Sequence, residues 1–503
     1  MKKSAVAYLT LSVFLSLAGR ADVVEQGPKD SKPSGLLAGV ARADIAPPVG
    51  IAQLNWGSQT HVEAVGVDPI GMYATALVLS DGKNKFAMVD IDALFAEDSE
   101  EIARRVAKIT GIPESHIRLG ATHTHAGPAF SRAKGPVGTD STLHERLLAT
   151  YKASQADKIV GAIVEANSRL EPAHLWAGRG TGTINIFRRV RGSGSAPPAV
   201  GRNPDGFVDR ELVVFRIDDA KGKPLAVLVN FQCHGTVLAY ENKFLSPDWV
   251  GTVRKEVEHA LPGAKCLYFQ GAAGNQGPIE GFTGDLEVAH RLGRILGHQA
   301  AAVALQIETV KREPRFEGFV ESTAFQAKQH WRVEGPRSAT LRFASKIVEV
   351  PARRYTPKEI DDMASRAAAA SKQVEEARAL GDSWKKFQAE ARLRRFSDLL
   401  GQWKSQPANP APRKVQLQIL SIGDVALVAM PGEPFAEIGA AVKKASPFAY
   451  TMFCGYSSGV GGDYMPTASE YQHGGYEVER SPYGTGAAEK VIQEATALYK
   501  ELR

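Results

Sequence analysis

Two histidines one residue apart, His123 and His125, lie in the run Thr122-His-Thr-His-Ala-Gly-Pro128. Imidazole is both a common metal ligand and a side chain that exchanges protons near neutral pH. An extended backbone turns successive side chains to opposite faces. Without a bend, one ring would reach a metal and the other would turn toward a substrate. Gly127-Pro128 then ends the strand and opens a loop, where chemistry is commonly displayed. Further along, His234 in Cys233-His-Gly235, Glu433 in Pro431-Gly-Glu433, and Tyr464 with Tyr476 also fall at strand ends or in loops. Imidazole nitrogens and carboxylate oxygens are zinc ligands, but these spacings match no local zinc signature. A metal centre here requires distant loops to converge.

The elements that must position them are legible in outline. Strand-like runs at 72–79 and 86–92 precede a helix over 99–110, whose Ile102, Val106 and Ile109 share one face, and a strand over 117–120. This β-α-β order puts His123 and His125 at the carboxyl end of a strand, where open α/β sheets place ligands. A helix over 143–167 is followed by a Gly- and Arg-rich loop, 179–202. A hairpin of 212–217 with 225–231 leads to His234. A helix (249–260), a strand (266–269), a Gly-rich loop and a long helix (286–307) follow. Asp248 caps the first of these helices and is also a candidate to hold the second nitrogen of His234. Residues 356–404 are rich in Ala, Lys, Glu and Arg. They read as one or two amphipathic helices, turning at Gly381, that form an arm or lid. Strand character returns over 415–429 with a turn at Gly423-Asp424. The alternation predicts an α/β (mixed α+β) fold: one large catalytic domain with a mixed central sheet flanked by helices, plus a helical insertion.

Lys2 and Lys3, the apolar run from Ala5 to Ala18 and the small-x-small triplet Gly19-Arg-Ala21 read as a secretory signal. The expected domains are therefore a signal peptide over 1–21, a disordered lead-in over 22–36 and a catalytic domain over 37–503. The expected destination is the periplasm or the medium. The apolar run is too short for a transmembrane anchor, and no other stretch approaches the needed length. Removing Lys2, Lys3 and Arg20 from a formal charge of +6 leaves +3, which carries no nucleic-acid footprint. Cys233, Cys266 and Cys454 are too few and too scattered for a disulfide scaffold.

Several motifs, taken in order, resemble the neutral/alkaline (non-lysosomal) ceramidases, specifically their N-terminal catalytic domain. They are Ala43-Asp-Ile-Ala-Pro-Pro-Val-Gly50, Gly120-Ala-Thr-His-Thr-His-Ala-Gly-Pro128, Asn230-Phe-Gln-Cys-His-Gly-Thr236, Gly271 to Pro278, Pro431-Gly-Glu433, and Tyr464-Met-Pro-Thr-Ala-Ser-Glu-Tyr471 followed by Tyr476-Glu477. The resemblance runs from about Gly39 to Gly486, except across 310–412. It implies a zinc amidase that splits an N-acyl bond, with one Zn2+ per chain. It implies His123, His234, Glu433 and Tyr464 as metal ligands, and His125, Tyr476 and Arg188 as residues facing the scissile amide.

The departures bear on chemistry. Where the family carries a Gly-Asp-Val-Ser-Pro stretch whose serine has been given a catalytic role, this chain reads Gly274-Asn-Gln-Gly277-Pro278. Gly277 offers no hydroxyl. Backbone N–H groups of a substrate loop containing Gly274, Asn275 and Gly277 are candidates to replace it. The sequence ends just past the region of resemblance, without the family's immunoglobulin-like C-terminal domain. No oligomeric state is implied, and the substrate is a small molecule, lipid or glycan. Two other readings stay open. Arg179, Arg188, Arg189 and Arg191 suit a carboxylate or sulfate, as in a metal-assisted polysaccharide enzyme, either a uronate lyase or a glycan deacylase. The chain also fits a catalytically degenerate relative that binds a ligand in the old pocket.

Overall fold

The computed structural model describes residues 35–130, 134–191 and 198–502. The expected signal peptide and all but the end of the lead-in lie outside them. Eight strands form one mixed sheet in the order Lys265–Gln270, Pro224–Phe231, Glu211–Asp219, Glu171–Thr181, Leu37–Asp44, Tyr73–Ser80, Lys85–Ile91 and Ile117–Ala121. The inner pairings are antiparallel, whereas the outermost pair at each end is parallel. Parallel neighbours need a crossover connection. The helices Ser99–Thr110 and Trp249–Ala260 supply one for each end.

Both faces of this sheet are covered, and the period-two pattern of the strands shows it. Leu212, Val214, Val227 and Val229 join a core with Leu292, Leu296 and Ala300 of the helix Leu286–Gln306. Val213, Phe215, Ile217 and Leu228, one residue out of phase, face a core with Leu341, Leu420, Leu427 and Met452. Those last residues belong to a second, four-stranded sheet of Leu341–Val350, Arg413–Ile422, Val425–Ala429 and Tyr450–Cys454. The fold is thus the expected mixed α/β architecture.

The two ends of the large sheet meet. Tyr268 N, on one edge strand, donates to Asp90 Oδ2 near the opposite edge at 2.8 Å. Arg254, on the crossover helix, clamps Asp90 and Asp92 at 2.9 and 2.5 Å. This closure brings the loop after Ile117–Ala121 beside the loop after Pro224–Phe231, although five strands lie between them in the sheet order.

The 356–404 insertion is a helical hairpin, Pro357–Ala379 and Ser383–Ser405, with Gly381 at φ +68° in the turn. Thr356 and Glu359 form a reciprocal capping box at its start. The expected loop over 179–202 is corrected. It contains the end of the strand Glu171–Thr181, the whole of Asn185–Val190 and the start of Ala199–Asn203. Arg188 and Arg189 are consecutive on the strand Asn185–Val190 and both are buried. An exposed two-stranded ribbon, Val310–Val320 with Gln326–Pro336, was not anticipated. All three cysteines are buried and free. No described helix is long and apolar enough to cross a membrane.

Candidate metal centre

His123 adopts φ +62°, the left-handed region that a residue with a side chain rarely takes. This is the bend that an extended His-x-His pair lacks, and it puts both rings on one side. His123 Nε2 lies 3.2 Å from His125 Nε2 and 3.2 Å from His234 Nε2. The chains carrying His123 and His234 pass close enough for His125 N to donate to Gly235 O at 3.2 Å, and Thr124 bridges to Gly235. A Cβ on Gly235 would sit 2.8 Å from the His123 carbonyl oxygen, so only glycine permits the approach. His123, His125 and His234 form a group that could hold a metal ion.

Glu433 completes the cluster. Its Oε2 lies 3.2 Å from His234 Nε2 and 3.5 Å from His123 Nε2. A short parallel pairing of Glu433–Pro434 with Tyr464–Met465 sets Tyr464 beside it. His123 and His234 are each only 1% exposed, and Glu433 and Tyr464 are also buried.

The donor set fits a cation. His123 Nδ1 faces the Leu94 carbonyl at 2.7 Å and His234 Nδ1 faces the Ala273 carbonyl at 2.9 Å, so both Nδ1 atoms carry the proton. Both Nε2 atoms then present lone pairs to one another and to Glu433 Oε2, which has no hydrogen-bond partner. Lone pairs crowded in a buried pocket repel unless positive charge lies among them. Burial lowers His234 to about 3, with Arg188 reinforcing it. Burial, then the neighbouring histidines, holds His125 well below the usual imidazole range. Burial alone would raise Glu433, but His123 and His234 keep it well below the usual carboxylate range. His125 and His234 are thus held as unprotonated imidazoles, the form that metals bind.

Arg188 reaches the same place from the strand Asn185–Val190, donating to Tyr464 Oη at 3.1 Å and to Glu477 at 2.9 Å. Tyr476 packs edge-on against Tyr464, ring centroids 5.7 Å apart. The expected substrate loop packs against the cluster. Gly274 N donates to Pro434 O and Gln276 N to Ala273 O, so these N–H groups are committed within the fold. Asn275 Oδ1 accepts from Ala436 N, and Asn275 Nδ2 donates to Glu437. A Cβ on Gly274 would lie 2.4 Å from Glu433 O, and one on Gly277 3.1 Å from Arg188 Cβ. Gly274, Asn275 and Gly277 buttress Glu433 and Arg188.

Asp248 caps its helix through Trp249 N and also accepts from Leu238 N. The second nitrogen of His234 goes to Ala273 O instead, so Asp248 is not its holder. Arg188, Arg189 and Arg191 are tied to Glu470 and Glu477, and Arg179 pairs with Glu211. These ion pairs occupy the arginines that suited a carboxylate or sulfate in the polysaccharide reading. Residues the sequence reading missed also line the centre. Tyr456 lies 4.4 Å from the His123 ring and 3.4 Å from His234 Nδ1, Trp56 stacks 5.1 Å from His125, and Phe95 meets His123. None stands beside a histidine in sequence; the Gly-rich run Tyr456 to Gly462 was the only local signal.

A curled mixed sheet whose loops gather three imidazoles and a carboxylate forms a site that could hold a metal ion. Residues 36–283 match the profile described as neutral/alkaline non-lysosomal ceramidase, N-terminal. The chain is 28% identical over 292 residues to a neutral ceramidase of Pseudomonas aeruginosa, covering 55% of this chain and 41% of that protein. It is 28% identical over 262 residues to neutral ceramidase A of Dictyostelium discoideum, covering 49% and 36%. The crystal structure of neutral ceramidase from Pseudomonas aeruginosa superposes with a TM-score of 0.61 at 20% identity, over 94% of this chain and 75% of that one. Over residues 36–283 the chain shares the N-terminal region of the neutral/alkaline non-lysosomal ceramidase family. Its matches span less than half the length of these sequence relatives.

Proposed function

We propose that this protein is an exported, zinc-dependent hydrolase that cleaves an N-acyl (amide) bond. The observation that carries the reading is the convergence of His123, His234 and Glu433 on one buried point. Tyr464 is the proposed fourth ligand, its oxygen polarised by the hydrogen bond from Arg188. A divalent zinc ion held there would act as a Lewis acid on the carbonyl and would acidify water.

The remaining steps belong to the chain. His125 has no hydrogen bond on Nδ1 among the described residues and is partly exposed, so its ring is free to take a proton from water at Nε2 and pass it to the leaving nitrogen. Burial raises the Tyr476 phenol above its usual value, so it stays protonated and donates a hydrogen bond to the oxygen on which negative charge develops. Losing one such donor costs about 3 kcal/mol of barrier, which a hydrolase without the family serine can tolerate. The family resemblance supports amide chemistry, and the aromatic rings of Trp56, Phe95 and Tyr456 beside the histidines favour an apolar acyl group. Mass-spectrometric assay of a panel of N-acyl amides tests the reading. Turnover should vanish in His123→Ala and Glu433→Ala. Full turnover in both variants overturns it.

A further inference from the structure

The hairpin insertion lies across the site. Toward its start, the helix Ser383–Ser405 sits on the wall that carries His125. Gln388 Nε2 donates to the carbonyls of Ser58 and Gln59 at 3.3 and 3.2 Å, and Phe387 packs with Leu54 and Ala129. That stretch of chain includes Trp56, whose ring stacks on His125. Two turns later, about 10 Å along the axis, the same helix sits on the wall that carries Tyr476. Arg395 places its guanidinium 4.8 Å from the centre of the Tyr476 ring. One helix therefore bridges from the His125 side to the Tyr476 side.

We propose that this helix roofs the substrate cleft and that Arg395 is a specificity-determining residue which takes a carboxylate carried by the substrate. Placing that anion on a substrate rests on the hydrolase reading above. The charge balance motivates it. Arg395 and Arg366 share one carboxylate, Glu479, at 2.6 and 2.7 Å. On the short helix Tyr476–Arg480, Glu477 is taken by Arg188 and Arg189, and Arg480 is paired with Asp463. Two guanidiniums thus share one carboxylate, which leaves Arg395 able to take a further anion.

Hydrogen-bond accounting points the same way. Arg395 Nε is buried and has no partner, while its Nη2 is taken by Glu479. Across the cleft Trp56 Nε1 is likewise buried and unpartnered. Guanidinium and indole N–H groups only donate, so what both lack is an acceptor. The planar fork of arginine suits a carboxylate in particular. Ceramide, a neutral lipid, would leave the surplus charge unmatched. An N-acyl amino acid would match it.

The test compares N-dodecanoylglycine with N-dodecanoylethanolamine, which share the acyl chain and amide and differ in a carboxylate against a hydroxymethyl group. Binding and turnover are measured for the wild type, Arg395→Ala, Arg395→Gln and Arg395→Lys, with melting temperatures to verify folding. The wild type should favour the glycine conjugate at least tenfold in kcat/KM, mainly through KM. That ratio should fall at least tenfold in Arg395→Ala and Arg395→Gln and recover in part in Arg395→Lys. Should Arg395→Ala fail to fold, the Gln and Lys variants carry the comparison. Preferential binding of the glycine conjugate without turnover upholds the Arg395 site and overturns the hydrolase reading. Turnover of both amides with no carboxylate preference, or a preference untouched by the Arg395 variants, overturns the Arg395 site and leaves the hydrolase intact. Binding of neither overturns the site as well.

Discussion

Gly235 and His123 meet backbone to backbone: a side-chain carbon on Gly235 would stand 2.8 Å from the His123 carbonyl oxygen. This contact sets the spacing between the chains that carry His123 and His234. Gly235→Ala should therefore push the two imidazoles apart, at a cost of about 1–3 kcal/mol from overpacking. Bound zinc should fall below half of the wild-type content, read by elemental analysis beside a melting curve. Unchanged zinc and melting would show that the strands absorb the methyl without moving the ligands.

Arg254 fastens the two ends of the large sheet through Asp90 and Asp92, all three being buried. Arg254→Met leaves two carboxylates buried without their cation, which should cost about 3–5 kcal/mol. Urea denaturation measures it, and a loss under 1 kcal/mol would mean that the clamp does not hold the closure.

His290 and Asp68 give the stability a pH signature away from the metal centre. His290 Nε2 lies 3.0 Å from Asp68 Oδ2, and that hydrogen bond lifts His290 above its ordinary value. Burial alone would raise Asp68, but its bonds to His290 and Ser246 hold it below. The native state binds the His290 proton more tightly than the unfolded chain does. The contribution from His290 is full below about pH 6.5, the unfolded value, and is lost as pH rises through the higher folded value. The contribution from Asp68 is present above about pH 4 and is lost as pH falls through its depressed folded value. The stability difference between wild type and His290→Gln should be about 1 kcal/mol near pH 5.5 and should shrink above neutrality. A difference that stays constant into the alkaline range would refute the pairing.

Gly277 presses toward Arg188, with 3.1 Å between a would-be Cβ and Arg188 Cβ. Gly277→Ser, which restores the family residue, should displace Arg188 from Tyr464 and lower kcat about tenfold, close to 1.4 kcal/mol of barrier. Steady-state kinetics on the best N-acyl amide measures it. A gain in kcat would return the serine to the mechanism.

The sequence foretold elements better than their convergence. The hairpin of 212–217 with 225–231, the helix over 286–307 and the Gly381 turn are visible because apolar period and glycine position are local properties. The left-handed φ of His123 is not local. Nothing in Thr-His-Thr announces it, and it is imposed by closure of the sheet against Gly235. The same closure explains why Tyr456, Trp56 and Phe95 escaped notice, and why the arginine-bearing segment was taken for a loop. Its partners Glu470 and Glu477 lie almost three hundred residues away in sequence.

Elemental analysis of the purified protein, wild type beside His234→Ala, tests the central claim most directly. One zinc ion per folded chain in the wild type, lost in the variant while the fold persists, is the predicted result. A wild type that binds no divalent ion after zinc loading and dialysis would contradict the metal centre at its root.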